Sequence, residues 1–273
     1  MNLDAALDRL ADDPTAPIDV AVVALHLARD EYPDLDIPAY LERLEALARQ
    51  VRPWLRGGLA HRVAGLCRFL FEEQGFHGNE EDYYDPRNSY LNEVLDRRTG
   101  LPITLSVVAM AVGTRAGLDV AGVGLPGHFI AKATAGAKAV LFDPFHGGRQ
   151  LTAADCAELV EQATGMPFKV TAFDLQATPP GLVIQRLLNN LKGVYLRRRD
   201  FPRAARVIAR LCQLAPNDPL QQRDLGVTLY YAGQPGPAID PLTAYLHAIP
   251  TADDRRAVEQ LLTQARQELA RWN

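Results

Sequence analysis

The stretch that decides the fold runs from residue 126 to residue 145 and reads PGHFIAKATAGAKAVLFDPF. It contains two short β-like runs bounded by glycine and proline, and the weakly apolar TAGAK between them is typical of a hairpin turn. His128 lies in the first run and Asp143 in the second. Adjacent runs joined by a short turn can bring these two side chains together. A carboxylate that accepts the imidazole N–H is the base-plus-orienter half of a catalytic triad.

The most apolar stretch of the chain lies just before these runs. Residues 102–116 (PITLSVVAMAVGTRA) begin with proline, carry no charge until the last turn and are followed by Gly117, which predicts a buried central helix. Residues 19–31, 39–51 and 61–73 place apolar side chains three and four apart, as core-facing helices do. Helices followed by strands indicate an α+β fold.

A polar connector with four aromatic residues joins these helices to the central one, over residues 76–100. Long ordered connectors of this kind are often functional. Asn79, Tyr84, Asn88 and Pro102 are candidates for the wall of a pocket beside the histidine. Anchoring of the connector by its own side chains is the alternative interpretation.

The last third of the chain repeats itself with a period of about 34 residues, which is the length of a tetratricopeptide repeat. Leu225 and Gly226 supply the Leu-Gly pair of such a repeat, and residues 253–271 form an amphipathic helix suited to capping the array. The positions that recur are Leu191, Tyr195, Ala204, Ile208 and Pro216, matched by Leu225, Leu229, Ala238, Leu242 and Pro250.

Repeat position predicts a peptide-binding groove lined by Asn189, Arg197, Arg223 and Tyr230. A local basic patch favours an acidic peptide or a protein C-terminus as the partner, and a solvated charged face is the alternative. The patch consists of Lys192, Arg197, Arg198, Arg199, Arg203, Arg206 and Arg210.

The composition excludes disordered, collagen-like and coiled-coil proteins. With 48% hydrophobic and 23% charged residues, the 273-residue chain has the composition of a globular protein. The net charge of −4 argues against nucleic acid as a partner. Cys67, Cys156 and Cys212 are widely spaced, which disfavours a disulfide framework and fits a reducing cytosol. No apolar run approaches the roughly 18 residues of a membrane span, so we expect a cytoplasmic protein that binds no membrane.

By its motifs the chain resembles the SirB-type transglutaminase-like proteins. The motifs are Gly78-Asn79, Tyr84-Asp85-Pro86, Asn88-Ser89-Tyr90-Leu91, Gly100-Leu101-Pro102, Pro126-Gly127-His128-Phe129 and Asp143-Pro144-Phe145-x-Gly147-Gly148. The resemblance implies a papain-like fold, in which the active-site helix precedes a small antiparallel sheet that carries the histidine and the aspartate. It also implies three domains: a helical N-terminal region (1–75), the transglutaminase-like core (76–178) and the repeat tail (179–273).

The resemblance places Pro102 where active transglutaminases have their nucleophilic cysteine. Thr104 and Ser106 lie two and four residues further on and are the alternative nucleophiles. One hypothesis is therefore a catalytically degenerate core that acts as a regulatory or protein-interaction module. A second is an amidase, peptidase or acyltransferase that uses one of these hydroxyls with His128 as base and Asp143 as orienter.

A metal site is the third hypothesis for this region. His77, His128, Asp143 and His146 are residue types that bind zinc-like ions, but their spacing matches no compact motif. The sequence therefore predicts neither a metal nor a cofactor.

Overall fold

The uncharged run that begins at Pro102 forms a buried helix in the computed structural model, which describes residues 2–272. By their contacts the residues form two units, one of Thr15–Leu187 and the other of Met1–Pro14 with Leu188–Asn273.

Twelve α-helices and six strands follow one another along the described residues. The helices are α1 (Leu3–Asp12), α2 (Val20–Ala28), α3 (Ile37–Val51), α4 (Leu59–Cys67), α5 (Leu91–Arg97), α6 (Pro102–Arg115), α7 (Ala153–Thr164), α8 (Pro180–Arg197), α9 (Phe201–Leu214), α10 (Pro219–Tyr231), α11 (Pro235–Ala248) and α12 (Arg255–Trp272). The strands are β1 (His77–Gly78), β2 (Thr99–Gly100), β3 (Asp119–Leu125), β4 (His128–Ala135), β5 (Lys138–Asp143) and β6 (Arg149–Leu151).

An antiparallel sheet in the order β3-β4-β5-β6 forms the centre of the Thr15–Leu187 unit. The register pairs Leu125 with His128 across β3 and β4, and Ala135 with Lys138 across the predicted hairpin turn between β4 and β5. The helices before the sheet and the strands after α6 confirm the α+β class. The short strand β6 is an addition that the sequence analysis did not predict.

Helices cover the sheet because the strands β3 and β4 bury side chains on both faces. Val123 and Ile130 pack with Cys156 and Leu159 of α7 in one buried cluster. The helix α6 packs against β3 and β4. There a Cβ on Gly122 would lie 2.5 Å from the ring of Phe129 and 3.3 Å from Met110 of α6, so the glycine lets sheet and helix approach closely.

Local hydrogen bonds fix where several helices begin. Asp36 accepts from the N–H of Ala39 at the start of α3. Thr152 and Asp155 form a capping box at the start of α7, with the hydroxyl accepting from Asp155 N and the carboxylate accepting from Thr152 N. Caps of this kind can be recognised in a sequence, because each depends on residues only three positions apart.

A two-stranded parallel ladder closes the connector between the helical region and α6. It pairs His77 with Thr99 and Gly78 with Gly100. The ladder holds the two ends of residues 79–98 together. Strands of two residues have no periodicity, so the sequence analysis did not find them.

The helices α10, α11 and α12 pack on one another in the unit that contains the repeats. Gly226 on α10 faces Leu242 on α11, where a Cβ would lie 2.6 Å from the leucine Cγ, so the close helix contact requires glycine. The helix α1 belongs to the same unit, and Arg210 and Gln213 of α9 bond to its Asp4 and Asp8. No helix within residues 2–272 has the length and apolar character that spanning a membrane requires.

Candidate functional site

His128 and Asp143 lie side by side at the end of the β4–β5 hairpin that is opposite its turn. Nε2 of His128 is 2.9 Å from Oδ2 of Asp143, and both side chains are buried. An ionised carboxylate only accepts hydrogen bonds, so the imidazole nitrogen donates, and this fixes the tautomer and the orientation of the ring. The structure therefore brings together the two residues that the sequence analysis paired.

A third side chain reaches the same carboxylate from the loop after β5. Asp143 Oδ1 accepts from Phe145 N at 2.9 Å, and Gly148 N donates to Asp143 O at 2.7 Å, so this loop folds back on the aspartate. The turn places Nδ1 of His146 2.7 Å from Asp143 Oδ2. Gly148 has a φ of +77°, and a Cβ there would lie 2.5 Å from Cys67, so the turn requires glycine.

The charges of this cluster are mutually stabilised. Burial alone would raise the pKa of Asp143, but hydrogen bonds from His128 and His146 outweigh burial and lower it well below its usual range. The hydrogen bond to Asp143 raises the pKa of His146. The aspartate is therefore a carboxylate throughout the physiological pH range.

Aromatic rings surround the cluster on one side. The ring of Phe145 lies edge-on to His128 at 6.2 Å, to His146 at 5.1 Å and to Tyr83 at 6.2 Å between centroids. A Cβ on Gly78 would lie 2.5 Å from this ring, so the glycine of β1 makes room for it. Phe145 thus links the connector to the two imidazoles.

Arg186 of α8 contacts the start of β4, the strand that carries His128. The sequence did not predict this contact. Its Nη2 donates to the carbonyl oxygen of His128 at 2.6 Å, and its guanidinium lies over the ring of Phe129 at 5.4 Å. Burial lowers its pKa. A lone arginine in a helix has no sequence pattern that would have indicated this contact.

The hydroxyls of Thr104 and Ser106 are engaged within and around the first turn of α6. Thr104 Oγ1 accepts from Leu101 N at 2.9 Å and donates to Asn88 O at 2.8 Å. Ser106 Oγ donates to Pro102 O at 2.8 Å. Both side chains are buried. The structure therefore uses these hydroxyls to cap and brace the helix, and their recorded hydrogen bonds do not lead to His128.

The three thiols lie in environments that suppress ionisation. Burial raises the pKa of Cys67 to about 12 and those of Cys156 and Cys212 to about 11. Cys156 lies in the first turn of α7, where a helix N-terminus would favour thiolate, but its burial outweighs that effect. A nucleophile needs the thiolate form, so these cysteines are packing residues.

The candidate pocket residues hold the connector together. Asn88 is fully buried, accepts from Asn79 Nδ2 at 3.1 Å and donates to Asp82 O at 2.8 Å. Tyr84 is exposed, and Pro102 occupies the first turn of α6. These contacts support the interpretation in which Asn79 and Asn88 anchor the connector.

The candidate groove residues of the repeats differ in their surroundings. Arg223 bonds to Asp224 and Asp254, and Tyr230 donates to Glu268 of α12 at 2.7 Å. Asn189 and Arg197 are exposed on α8. Internal partners therefore hold Arg223 and Tyr230. The basic patch is also partly compensated within the unit, by the pairs Lys192–Asp224, Arg203–Asp200 and Arg210–Asp4.

A cavity of about 500 Å³ lies between α2, α6, β3 and the segment before α8. Its wall is mostly apolar and includes Val20, Met110, Val120 and Val183. No sequence pattern predicts this cavity, because its wall comes from four separate segments of the chain.

A paired histidine and aspartate on an α+β core, followed by helical repeats, is the arrangement expected of a transglutaminase-like core with a repeat tail. The chain belongs to the transglutaminase-like superfamily, whose family description matches residues 38–189. Residues 191–263 match the tetratricopeptide repeat. The narrower SirB-type resemblance stays a prediction.

Two bacterial relatives align with most of the chain, and a third relative aligns with a shorter part of it. A UPF0162 protein of Xylella fastidiosa (strain 9a5c) is 37% identical over 250 residues, which cover 88% of this chain and 86% of that protein. A UPF0162 protein of Pseudomonas aeruginosa is 32% identical over 214 residues, covering 78% and 77%. F-box only protein 21 of Homo sapiens is 32% identical over 130 residues, covering 45% of this chain and 20% of that protein. No solved structure matches the chain.

Proposed function

We propose that the chain is a cytoplasmic regulatory or protein-interaction protein whose transglutaminase-like core has no acyl-transfer nucleophile. The observation that carries the proposal is the start of α6, where Pro102 occupies the first turn and the nearby hydroxyls bond to backbone carbonyls. The raised pKa values of all three thiols support it, since none of them is poised as a nucleophile. The His128–Asp143 pair then serves structure, because each buried polar group satisfies the other.

An acyl-transfer enzyme is the competing function, and the retained His128–Asp143 pair is the observation that favours it. In that function Thr104 or Ser106 would attack the acyl group, and His128 would accept the hydroxyl proton. The hydroxyls would first have to leave their carbonyl partners, Asn88 O and Pro102 O.

An activity screen separates these two functions. Purified wild-type protein and His128→Ala are assayed for hydrolysis and aminolysis of p-nitrophenyl esters, γ-glutamyl amides and peptide thioesters. We expect the same background rate for both proteins. A wild-type rate that falls at least ten-fold in His128→Ala would overturn the proposal. Loss of that rate in Thr104→Ala or Ser106→Ala would then identify the nucleophile.

For the repeat tail we propose an acidic peptide or protein C-terminus as the ligand. Arg206 is exposed on α9, and Arg197 and Arg198 are exposed at the end of α8 and directly after it, so these three contribute positive charge on an otherwise acidic chain. Charge-assisted hydrogen bonds to carboxylates are the strong class of polar contact.

Fluorescence anisotropy with labelled glutamate-rich and lysine-rich peptides tests this ligand. We expect the acidic peptide to bind and the double variant Arg198→Glu/Arg206→Glu to lose that binding. Arg256→Glu on α12 is the matched control, since its side chain is also exposed. Arg203 and Arg210 are left unchanged because they form ion pairs with Asp200 and with Asp4 of α1. Equal binding by wild type and double variant would contradict the proposal.

A further inference from the structure

The two imidazoles of the His128 cluster each direct one ring nitrogen to the same oxygen of the Asp143 carboxylate. Nε2 of His128 and Nδ1 of His146 both face the same oxygen, Oδ2 of Asp143, at 2.9 and 2.7 Å. All three atoms lie within 4.8 Å of one another. The two nitrogens come from different segments, one from the start of β4 and one from the loop after β5.

We propose that His128, Asp143 and His146 form a binding site for a divalent transition-metal ion of the zinc type. Two imidazoles and one carboxylate are a ligand set that catalytic zinc sites use, with the fourth position left to water or a substrate oxygen. The proposal goes beyond the proposed function, since it adds a ligand to the core and does not depend on what the repeats bind.

The separations suit such an ion after a small adjustment. Zinc–nitrogen and zinc–oxygen bonds of about 2.0 Å in a tetrahedral site place ligand atoms roughly 3.3 Å apart. The two nitrogen–oxygen distances, 2.9 and 2.7 Å, each need to open by about 0.5 Å. The side chain of His146 is 43% exposed and lies in a loop, so it has room to make this movement. Each nitrogen would have to lose the proton that it now donates to Asp143 before it could bind the metal. In a neutral imidazole that proton would move to the other ring nitrogen by a change of tautomer, and a doubly protonated imidazole would release it to solvent.

Neighbouring residues orient the proposed ligands Asp143 and His128, as residues around metal sites do. Oδ1 of Asp143 already accepts from Phe145 N, which orients the carboxylate and leaves Oδ2 for the metal. Arg186 holds the His128 carbonyl and so fixes the start of β4.

His77 provides a matched control within the same core. It belonged to the four residues that the sequence suggested as ligands, but its Nδ1 faces Gly75 O at 3.0 Å and its Nε2 faces Thr99 Oγ1 at 3.2 Å. Its ring is therefore engaged at the β1–β2 ladder, outside the three-atom cluster.

Titration of metal-free protein with Zn²⁺ and Co²⁺ tests the proposal, with calorimetry for stoichiometry and Co²⁺ visible absorption for geometry. We expect one equivalent to bind, with the absorption of a tetrahedral site. Binding should weaken at least about ten-fold in His146→Ala, which removes an exposed side chain and should fold normally, and should be unchanged in His77→Ala. His128→Gln is the second ligand variant, with circular dichroism to establish its fold. No stoichiometric binding, or equal binding by wild type and folded His146→Ala, would overturn the proposal.

Discussion

Nε2 of His128 and Oδ2 of Asp143 are 2.9 Å apart, although fifteen positions separate the two residues in the chain. The antiparallel hairpin produces this contact, because the start of β4 and the end of β5 lie at the same end of the sheet. His146 then bonds to the same oxygen. Asp143 is therefore the centre of the site, and its substitution is the most informative one.

Replacing Asp143 with asparagine should lower the free energy of unfolding by about 2 kcal/mol in metal-free protein. Asparagine keeps an oxygen for Phe145 N but loses the charged oxygen that accepts from the two imidazoles. The buried bond from His128 contributes about 1.5–3 kcal/mol as a hydrogen bond to a charged group, and the bond from the half-exposed His146 contributes less. Urea denaturation followed by circular dichroism measures the change. His146→Ala, the control at the exposed end of the cluster, should cost less than about 1 kcal/mol. An Asp143→Asn variant as stable as wild type would show that the cluster does not stabilise the fold.

Asp85 should make stability depend on pH in the acid range. Burial favours its neutral form, but hydrogen bonds and charge from Arg87 and Arg97 outweigh burial and lower its pKa. Because the pKa of Asp85 is lower in the folded state than in the unfolded state, its ionised carboxylate stabilises the fold. This stabilisation is complete above the ordinary carboxyl pKa of about 4, and it is lost as the pH falls through the lower pKa of the folded state. Asp85→Asn should therefore be about 1 kcal/mol less stable than wild type at pH 7 and nearly equal to it at the lowest pH where both fold. Urea midpoints from pH 7 to pH 3 measure the difference. A difference that stays constant over this range would contradict the assignment.

Gly226 and Gly193 form a matched pair for testing helix packing in the repeats. A Cβ at Gly226 would lie 2.6 Å from Leu242 Cγ, whereas a Cβ at Gly193 of α8 meets nothing within 4 Å. Gly226→Ala should destabilise the protein by about 1–3 kcal/mol, because the helices must separate. Gly193→Ala should stabilise it by up to about 1 kcal/mol, because alanine favours the helix. Thermal unfolding of both variants gives the comparison, and equal shifts of the same sign would contradict it.

The buried thiols should resist alkylation in the folded protein. With pKa values of about 12 for Cys67 and about 11 for Cys156, the thiolate fraction at pH 8 is below about 1% for both, and the side chains are buried. Iodoacetamide labelling followed by mass spectrometry should be slow in buffer and fast in urea. Fast labelling of Cys156 in the folded state would show an activated thiol, and the proposal of a core without a nucleophile would then have to be revised.

Patterns within a few residues were enough to predict much of the fold. The apolar run of α6, the hairpin around TAGAK and the Thr152–Asp155 cap all follow from contacts between near neighbours in the chain. The pairing of His128 with Asp143 was also within reach, because one short turn joins their strands. Periodicity of about 34 residues indicated the repeats, since each repeat must bury the same face.

The sequence by itself thus determined the central helix, the hairpin after it, the helical repeats, the family resemblance and the absence of a cysteine at the start of the central helix. Only the tertiary structure decided how the polar groups are used. It placed His146 on Asp143, directed the Thr104 hydroxyl to Asn88 O, packed α1 against α9 and enclosed the cavity beside α6. Apart from the short turn that carries His146, these contacts join segments far apart in the chain, and spacing carries no information about which of them meet. The buried groups instead take the partners that satisfy their hydrogen bonds in the packed core.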